Sequence, residues 1–177
     1  MLLKNIGMML ITMYYCSSLE TAYVPVSYIR LERLYFSGNL IIDSILNYDI
    51  PNKCKPYVKR IVTGTLTEVE TVPSIDLCTL FSNILSNAIR CANQCTESDE
   101  PQLSVRFDHG TNYFSITVIN SVPDGYSVSK VKRNSHSLDR NHGYGLSKIR
   151  FICEKYNGTF EQTNQDNKMT TTVYLPL

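Results

Sequence analysis

The sequence predicts an α+β fold, a two-layer α/β sandwich in which helices cover one face of a largely antiparallel sheet, preceded by a partial helical segment. Three observations predict it. A β-branched run, Lys59–Thr67 (KRIVTGTLT), precedes a long helical pattern from about Ile75 to Thr96. Two pairs of short strand-like stretches follow, each folded back on itself across a short polar turn. A second helical pattern separates those pairs. Strand, helix, hairpin, helix, hairpin is the order expected when helices gather on one side of a sheet.

In chain order, residues from about Ile6 to Asn47 read as helical in two pieces. The first runs to about Leu19. The second, after Pro25, carries Ile29, Leu34, Ile41, Ile42, Ile45 and Leu46 as an apolar stripe interrupted at Gly38. Pro51 and Pro56 end this region, because proline lacks the amide hydrogen a helix needs. The expected organisation is therefore a helical segment over 1–50 and a globular domain over 57–177, with the boundary near 50–57. Ser74 is placed to cap the helix that starts at Ile75. Leu103–His109 and Asn112–Asn120 read as strands joined at Gly110. Ser121 to Asn141 is a long polar stretch, of the kind that is usually functional or disordered. Gly143–Tyr156 reads as a helix with Leu146, Ile149, Ile152, Cys153 and Tyr156 on one face, and Gly158–Thr163 with Met169–Leu175 as a closing hairpin.

Bulk properties narrow the function classes. With 177 residues, 43% hydrophobic and 19% charged, the chain has ordinary globular composition and enough length for a real core. A formal charge of +1 lacks the basic excess of a general nucleic-acid or anionic-membrane binder. The six cysteines form no CxxC pair; Cys91 and Cys95 lie four apart, but no second pair or nearby histidine completes a zinc set, so they read as reduced cytosolic thiols. The apolar run Ile6–Tyr15 is too short for a membrane span, which needs about twenty residues. Lys4 lacks the small-residue cleavage site that a signal peptide would place after such a run, which reads instead as a buried helix remnant.

The chemistry concentrates on two stretches. On the 75–96 helix, Leu77, Phe81, Leu85, Ala88 and Ala92 make an apolar face, while Asn83, Asn87, Arg90 and Gln94 line up on another. Asparagine is a poorer helix former than Glu or Lys, so two of them one turn apart suggest a use for neutral amides. An amide oxygen can ligate Mg²⁺, which takes few protein ligands, and Arg90 is placed to meet a phosphate. On spacing alone the stripe is equally a solvated surface. The second stretch is His142-Gly143-Tyr144-Gly145-Leu146, immediately before a helix. Glycines there let the backbone approach a ligand, and free N–H groups at a helix start favour phosphate, although a lone GxG also serves turns. The long polar stretch before it is placed to fold over a ligand as a lid.

Taken together, Asn83-x-x-x-Asn87-Ala88, His142-Gly143-x-Gly145-Leu146 and the ending Val173-Tyr174-Leu175-Pro176 resemble the ATPase fold of the GHKL superfamily. Histidine kinases, DNA gyrase, a heat-shock chaperone family and mismatch-repair ATPases share this Bergerat-type fold. Within it the chain is most similar to the peptide-pheromone quorum-sensing receptor kinases. That finer resemblance rests on Gly38-Asn39-x-x-x-Asp43-x-Ile45-Leu46-Asn47 and on Lys155-Tyr156-Asn157-Gly158, and the whole covers roughly residues 28–177.

The resemblance implies ATP and Mg²⁺ as cofactors. It makes Asn87 the Mg²⁺ ligand and puts Asn83 at the catalytic position, where water-activating relatives carry Glu. An amide there favours phosphotransfer over hydrolysis, since it is no general base. Arg90 matches a basic phosphate contact, and Asn120 the adenine-reading position, where most of the superfamily has Asp. Gly143 and Gly145 match the lid hinge and phosphate cradle, with Tyr144 and Leu146 beside them. Lys130 resembles a lid lysine, His142 lies along the triphosphate path, and Thr171 or Thr172, with Thr172 favoured, matches a threonine near the adenine. His109 reads as a surface turn residue and His136 as a lid residue.

A histidine kinase also needs a phosphoacceptor His, and no histidine precedes His109. If Lys4-Asn5 aligns with the residues after the usual His-Asp motif, the acceptor falls at about Met1. The expected function is therefore that of a Mg-ATP-binding catalytic domain in a two-component sensor histidine kinase, passing the γ-phosphoryl to a His from a missing segment or another chain. Expected partners are a second copy through the N-terminal helices (a remnant of a dimerisation hairpin) and a response regulator or acceptor-bearing segment. No nucleic acid is expected, and the membrane only through a sensor region absent from this chain. The expected location is cytoplasmic. The alternatives are a non-catalytic or degenerate ATP-binding regulator and a serine kinase of the anti-sigma type.

Overall fold

In the computed structural model, the described residues are 34–67, 69–126 and 145–177. The helical readings before residue 34, and Lys130, His136, His142, Gly143 and Tyr144, lie outside them. Tyr35–Leu177 form one compact unit. Its elements are α1 (Leu40–Lys53), β1 (Lys59–Gly64), α2 (Ser74–Ala92), β2 (Gln102–His109), β3 (Tyr113–Ser121), α3 (Gly145–Lys155), β4 (Thr159–Gln165) and β5 (Lys168–Pro176).

The strands form one sheet in the order β1-β2-β3-β5-β4. Only β1 and β2 run parallel; the other three pairings are antiparallel, as the alternating patterns predict. The register puts Phe107 opposite Ile116, Val105 opposite Val118, and Val173 opposite both Ile116 and Phe160. Because strand side chains alternate, these residues share one face, and the helices cover it. The core lies between the layers: Phe81 of α2 meets Phe107 of β2 with ring centroids 5.7 Å apart, while Leu77, Leu80, Leu85, Phe114, Ile116 and Val173 have at most 1% of their surface exposed.

The boundary expected near 50–57 lies elsewhere. Ile42, Leu46 and Ile50 of α1 have no exposed surface and belong to the same core as the sheet, so α1 joins the globular unit and its first residue is Tyr35. The helix also starts later than the apolar stripe suggests. Gly38 takes φ +90°, a left-handed conformation that side chains disfavour, and Asn39 then caps α1 by accepting from the Ile41 and Ile42 amides at 3.1 and 3.3 Å. Pro51 does not end the helix. It sits in the last turn, where it forfeits a single bond, and burial of Ile50 holds that turn to Lys53.

The polar residues of Gly38–Asn47 have structural duties. Asp43 Oδ1 accepts from both the Ser37 amide and its hydroxyl at 2.6 Å. Asn47 clamps Tyr35 from both sides, accepting from its N–H at 3.0 Å and donating to its carbonyl at 2.8 Å. The Leu66 amide donates to the Ser37 carbonyl at 2.6 Å, so the segment before α1 is strapped between α1 and the exit of β1. These buried backbone groups would otherwise lack partners.

Two ends of α2 differ from expectation. Pro73, not Ser74, occupies the cap position; its carbonyl accepts from the Asp76 and Leu77 amides, and no side chain caps the helix. At the other end α2 stops at Ala92 instead of Thr96, because the Asn93 side chain turns to the segment after α1, donating to the Lys53 carbonyl at 2.7 Å and accepting from the Lys55 amide at 2.9 Å. Gln94 therefore leaves the polar stripe.

The Lys155–Gly158 stretch pins α3 to α2. Lys155 Nζ and the Tyr156 hydroxyl both donate to Asp76 Oδ2, at 2.7 and 2.5 Å. Asn157 turns left-handed at φ 54°, and the Gly158 amide closes the helix end on the Cys153 carbonyl at 2.7 Å. The bonds from Lys155 and Tyr156 hold the Asp76 carboxyl below its ordinary value of 3.8.

Two outcomes follow. Asn47→Ala strands the Tyr35 N–H and C=O and should cost about 1–3 kcal/mol in urea unfolding; an unchanged midpoint contradicts the clamp. Because the folded pKa of Asp76 is depressed, its contribution is complete above 3.8 and is lost as pH falls through the lower folded value. The stability gap between wild type and Asp76→Asn should therefore close on acidification from about pH 5, whereas a gap that stays constant with pH would assign the loss to something other than this carboxylate.

Candidate functional site

Burying one face of α2 dictates where its polar residues go. With Phe81, Ile84, Leu85, Ala88 and Ala92 against the sheet, Asn83 and Asn87 emerge half-buried on the flank that meets α3, and Arg90 emerges exposed one turn further on. The first residue of α3 is Gly145. A methyl group built on it would lie 3.2 Å from Asn83 Oδ1, 3.5 Å from Asn87 Nδ2 and 3.9 Å from Asn87 Oδ1. Glycine thus lets the backbone at the start of α3 sit directly on the two amides.

Those amides are underused by the protein. Asn83 Nδ2 donates to the Thr79 carbonyl one turn back at 2.6 Å, which leaves its oxygen facing Gly145. Among the described residues, the Asn87 carboxamide has no hydrogen-bond partner. A half-buried amide without partners is costly unless a ligand or water completes it. The donor set suits Mg²⁺ with phosphate: a neutral oxygen from Asn87, a guanidinium from Arg90, and the glycine-opened backbone at the start of α3.

The sheet supplies the other side. Asn120, 2% exposed, closes the helix-facing row of β3 after Phe114, Ile116 and Val118. Its Nδ2 donates to the Ser121 carbonyl at 2.9 Å, leaving its oxygen as a free acceptor among the described residues. Met169 stands opposite Asn120 and packs with Cys91, Val122 and Tyr126 in a small cluster apart from the main core. Cys91 follows Arg90, so this cluster links the Asn120 corner to the α2 turn that bears the arginine.

Thr172 does not share the site's face. Buried positions on β5 are Met169, Thr171, Val173 and Leu175, so alternation turns Thr172 to the opposite side of the sheet. Thr171, 7% exposed, is the threonine beside Asn120. Leu146 contributes its backbone alone to the helix start; its side chain packs against the core.

Sequence reasoning missed Tyr126 and Gln162. The Cys91 sulfur and the Tyr126 hydroxyl are hydrogen-bonded at 3.5 Å, and the phenol is pushed up to about 12, first by burial and then by its bond to Cys91, with the nearby Arg90 charge acting oppositely. Gln162 of β4 faces the helices beside Thr171. The signal emerges with the strand register, which puts Asn120, Thr171 and Gln162 together on the inward-pointing face.

Comparison with known proteins shows the family and the fold. The GHKL domain family model matches residues 72–176. No curated protein matches the chain. Among solved structures it is similar to the catalytic domain of histidine kinase ThkA, with a TM-score of 0.57 at 17% identity over 80% of this chain and 94% of that one. It is also similar to the mycobacterial sensor histidine kinase MprB, with a TM-score of 0.55 at 17% identity over 77% of this chain and 91% of that one. The Acinetobacter baumannii histidine kinase AdeS aligns with a TM-score of 0.56 at 14% identity, over 97% of this chain and 76% of that one. The shared feature is the fold, an α+β sandwich of a mixed five-stranded sheet and three helices among the described residues.

Gly145→Ala tests the contact. The added methyl presses on Asn83 Oδ1 at 3.2 Å while improving helix propensity. Affinity for the ligand expected from the sequence, Mg-ATP, should fall about tenfold, or about 1.4 kcal/mol, with thermal stability retained. Unaltered affinity would mean that the two amides and the start of α3 do not act together.

Proposed function

The chain belongs to the GHKL domain family, and we propose that it is the Mg-ATP-binding catalytic domain of a two-component sensor histidine kinase. The observation that carries this reading is the seating of Gly145 on the Asn83 and Asn87 amides, neither fully satisfied by the protein. GHKL domains bind ATP with Mg²⁺, and this corner offers a neutral metal ligand, a cation and backbone donors within one turn of each other.

In this reading Asn87 holds the metal, whose chemistry is to neutralise charge on the phosphate oxygens. Arg90 meets a phosphate from the exposed end of the stripe. Asn120 and Thr171 take the base at the sheet. Lys130, His142, Gly143 and Tyr144 are assigned to the phosphate side by motif. Catalysis then consists of positioning and electrostatics, with the nucleophile supplied by a histidine outside residues 34–177. Asn83 cannot take a proton from water as a carboxylate would, so the site is suited to passing the phosphoryl to a histidine in preference to hydrolysis.

The peptide-pheromone receptor group is the finer assignment. It is supported by Asn at position 120 and by the Gly38–Asn47 stretch, whose polar residues hold the entry to α1. A homodimer through the helices of residues 1–50, a response regulator as partner and a cytoplasmic location complete the proposal. Among the described residues no helix is long and apolar enough to cross a membrane.

The test supplies a separate helical segment bearing the acceptor His, with γ-labelled ATP and Mg²⁺. Acid-labile phosphate should form on that histidine, and Asn87→Ala should slow its formation by about a hundredfold. Acid-stable phosphate on serine would replace this reading with a serine kinase of the anti-sigma type. ATP binding without any transfer would leave a nucleotide-binding regulator.

A further inference from the structure

Resting on the nucleotide reading above, we infer that Gln162 is a positioning residue that makes the site select adenine over guanine by fixing the polarity of the Thr171 hydroxyl. The helix-facing side of the sheet is apolar at Leu103, Val105, Phe107, Phe114, Ile116, Val118, Val173 and Leu175, and apart from Arg60 on the β1 edge its half-buried and buried polar residues lie in one corner. Thr171 lies opposite Val118 on one side and Gln162 on the other, while Asn120 lies one residue pair away on β3. Polar side chains on a buried face are costly unless they are used.

The direction of one hydrogen bond carries the argument. Gln162 Nε2 donates to Thr171 Oγ1 at 3.1 Å. A hydroxyl that accepts from a neighbour keeps its own proton for another partner. Among the described residues no acceptor takes the Thr171 proton. Asn120 is committed the opposite way: its Nδ2 is spent on the Ser121 carbonyl, and its oxygen is left to accept. On adjacent strands such diagonal neighbours stand about 7–8 Å apart, within reach of one planar ring.

The corner therefore presents an acceptor from Asn120 and a donor from Thr171. Adenine offers the complement on either edge, an amino donor beside a ring-nitrogen acceptor. Guanine puts a carbonyl oxygen where adenine has its amino group, so O6 would face the Asn120 oxygen. Gln162 need not touch the base, since its part is to keep the Thr171 hydroxyl a donor. The isosteric change Gln162→Glu reverses this, because a carboxylate accepts the hydroxyl proton and withdraws it from the ligand.

Calorimetry with Mg²⁺ and, in turn, ATP, GTP and tripolyphosphate tests the inference on the full chain. Wild type should prefer ATP to GTP. Gln162→Glu should weaken ATP about tenfold, leave tripolyphosphate unchanged and narrow the ATP-to-GTP ratio. In a Thr171→Val background the same change should have no further effect on ATP, since Gln162 acts through that hydroxyl. Equal losses for all three ligands, no change in the ratio, or a full effect without the hydroxyl would overturn the assignment. A wild type that binds tripolyphosphate but does not prefer ATP would overturn this inference while leaving the phosphate site standing. Binding of none of the three would overturn both.

Discussion

Everything at the site depends on the burial of one face of α2. Leu77, Leu80, Phe81, Ile84 and Leu85 have at most 2% of their surface exposed. At about 1.5–3 kcal/mol for each such side chain, this face fixes the helix on the sheet more firmly than any polar contact could. At 3.6 residues per turn, that orientation leaves no choice for positions 83, 87 and 90. Their side chains must emerge along the flank facing α3. The Lys155–Asp76–Tyr156 cluster then holds the end of α3 against the start of α2, and Gly145 at the other end meets the amides in mid-helix. An apolar constraint thus produces a polar juxtaposition.

The sheet obeys a matching rule. Its helix-facing rows are apolar wherever they support α2, and they become polar at the corner that holds Asn120, Thr171 and Gln162. That corner shares the Met169–Cys91–Tyr126 cluster with the turn bearing Arg90. The amide pair and the polar sheet corner are therefore separated along α2, the amides in its middle and the Asn120 corner near its end. The strap at Tyr35–Asn47 ties the chain entering from the N-terminal side to α1, which packs on α2.

Much of this was legible in the sequence, and the misses share a cause. Periodicity over 75–96 gave the helix, its buried face and the amide pair, because a strongly amphipathic helix has one way to sit on a sheet. Alternation gave both hairpins, and the family resemblance singled out Asn120. End effects were not legible, since they depend on distant partners. Asn93 stops α2 by bonding the segment after α1, and Pro51 survives in α1 because Ile50 is buried. Asn39 and Asp43, read from a motif, turned out to strap the backbone. The boundary near 50–57 was drawn at prolines, although the apolar face of α1 belongs to the domain core. Thr172 was preferred to Thr171 because strand phase is uncertain by one residue until the register is known, and one residue turns a side chain to the other face. Gln162 escaped notice because polarity on an inner face shows only once its neighbours across the sheet are identified.

The central claim is that the unsatisfied amide of Asn87 completes a metal–nucleotide site. It is tested most directly by calorimetric titration of the full chain with ATP, with and without Mg²⁺, in wild type and in Asn87→Ala. The account predicts saturable binding that strengthens with Mg²⁺ in wild type and loses that dependence in the variant, while thermal stability changes little. Binding that is insensitive to Mg²⁺ in both proteins, or absent at millimolar ATP in a folded wild type, would contradict it.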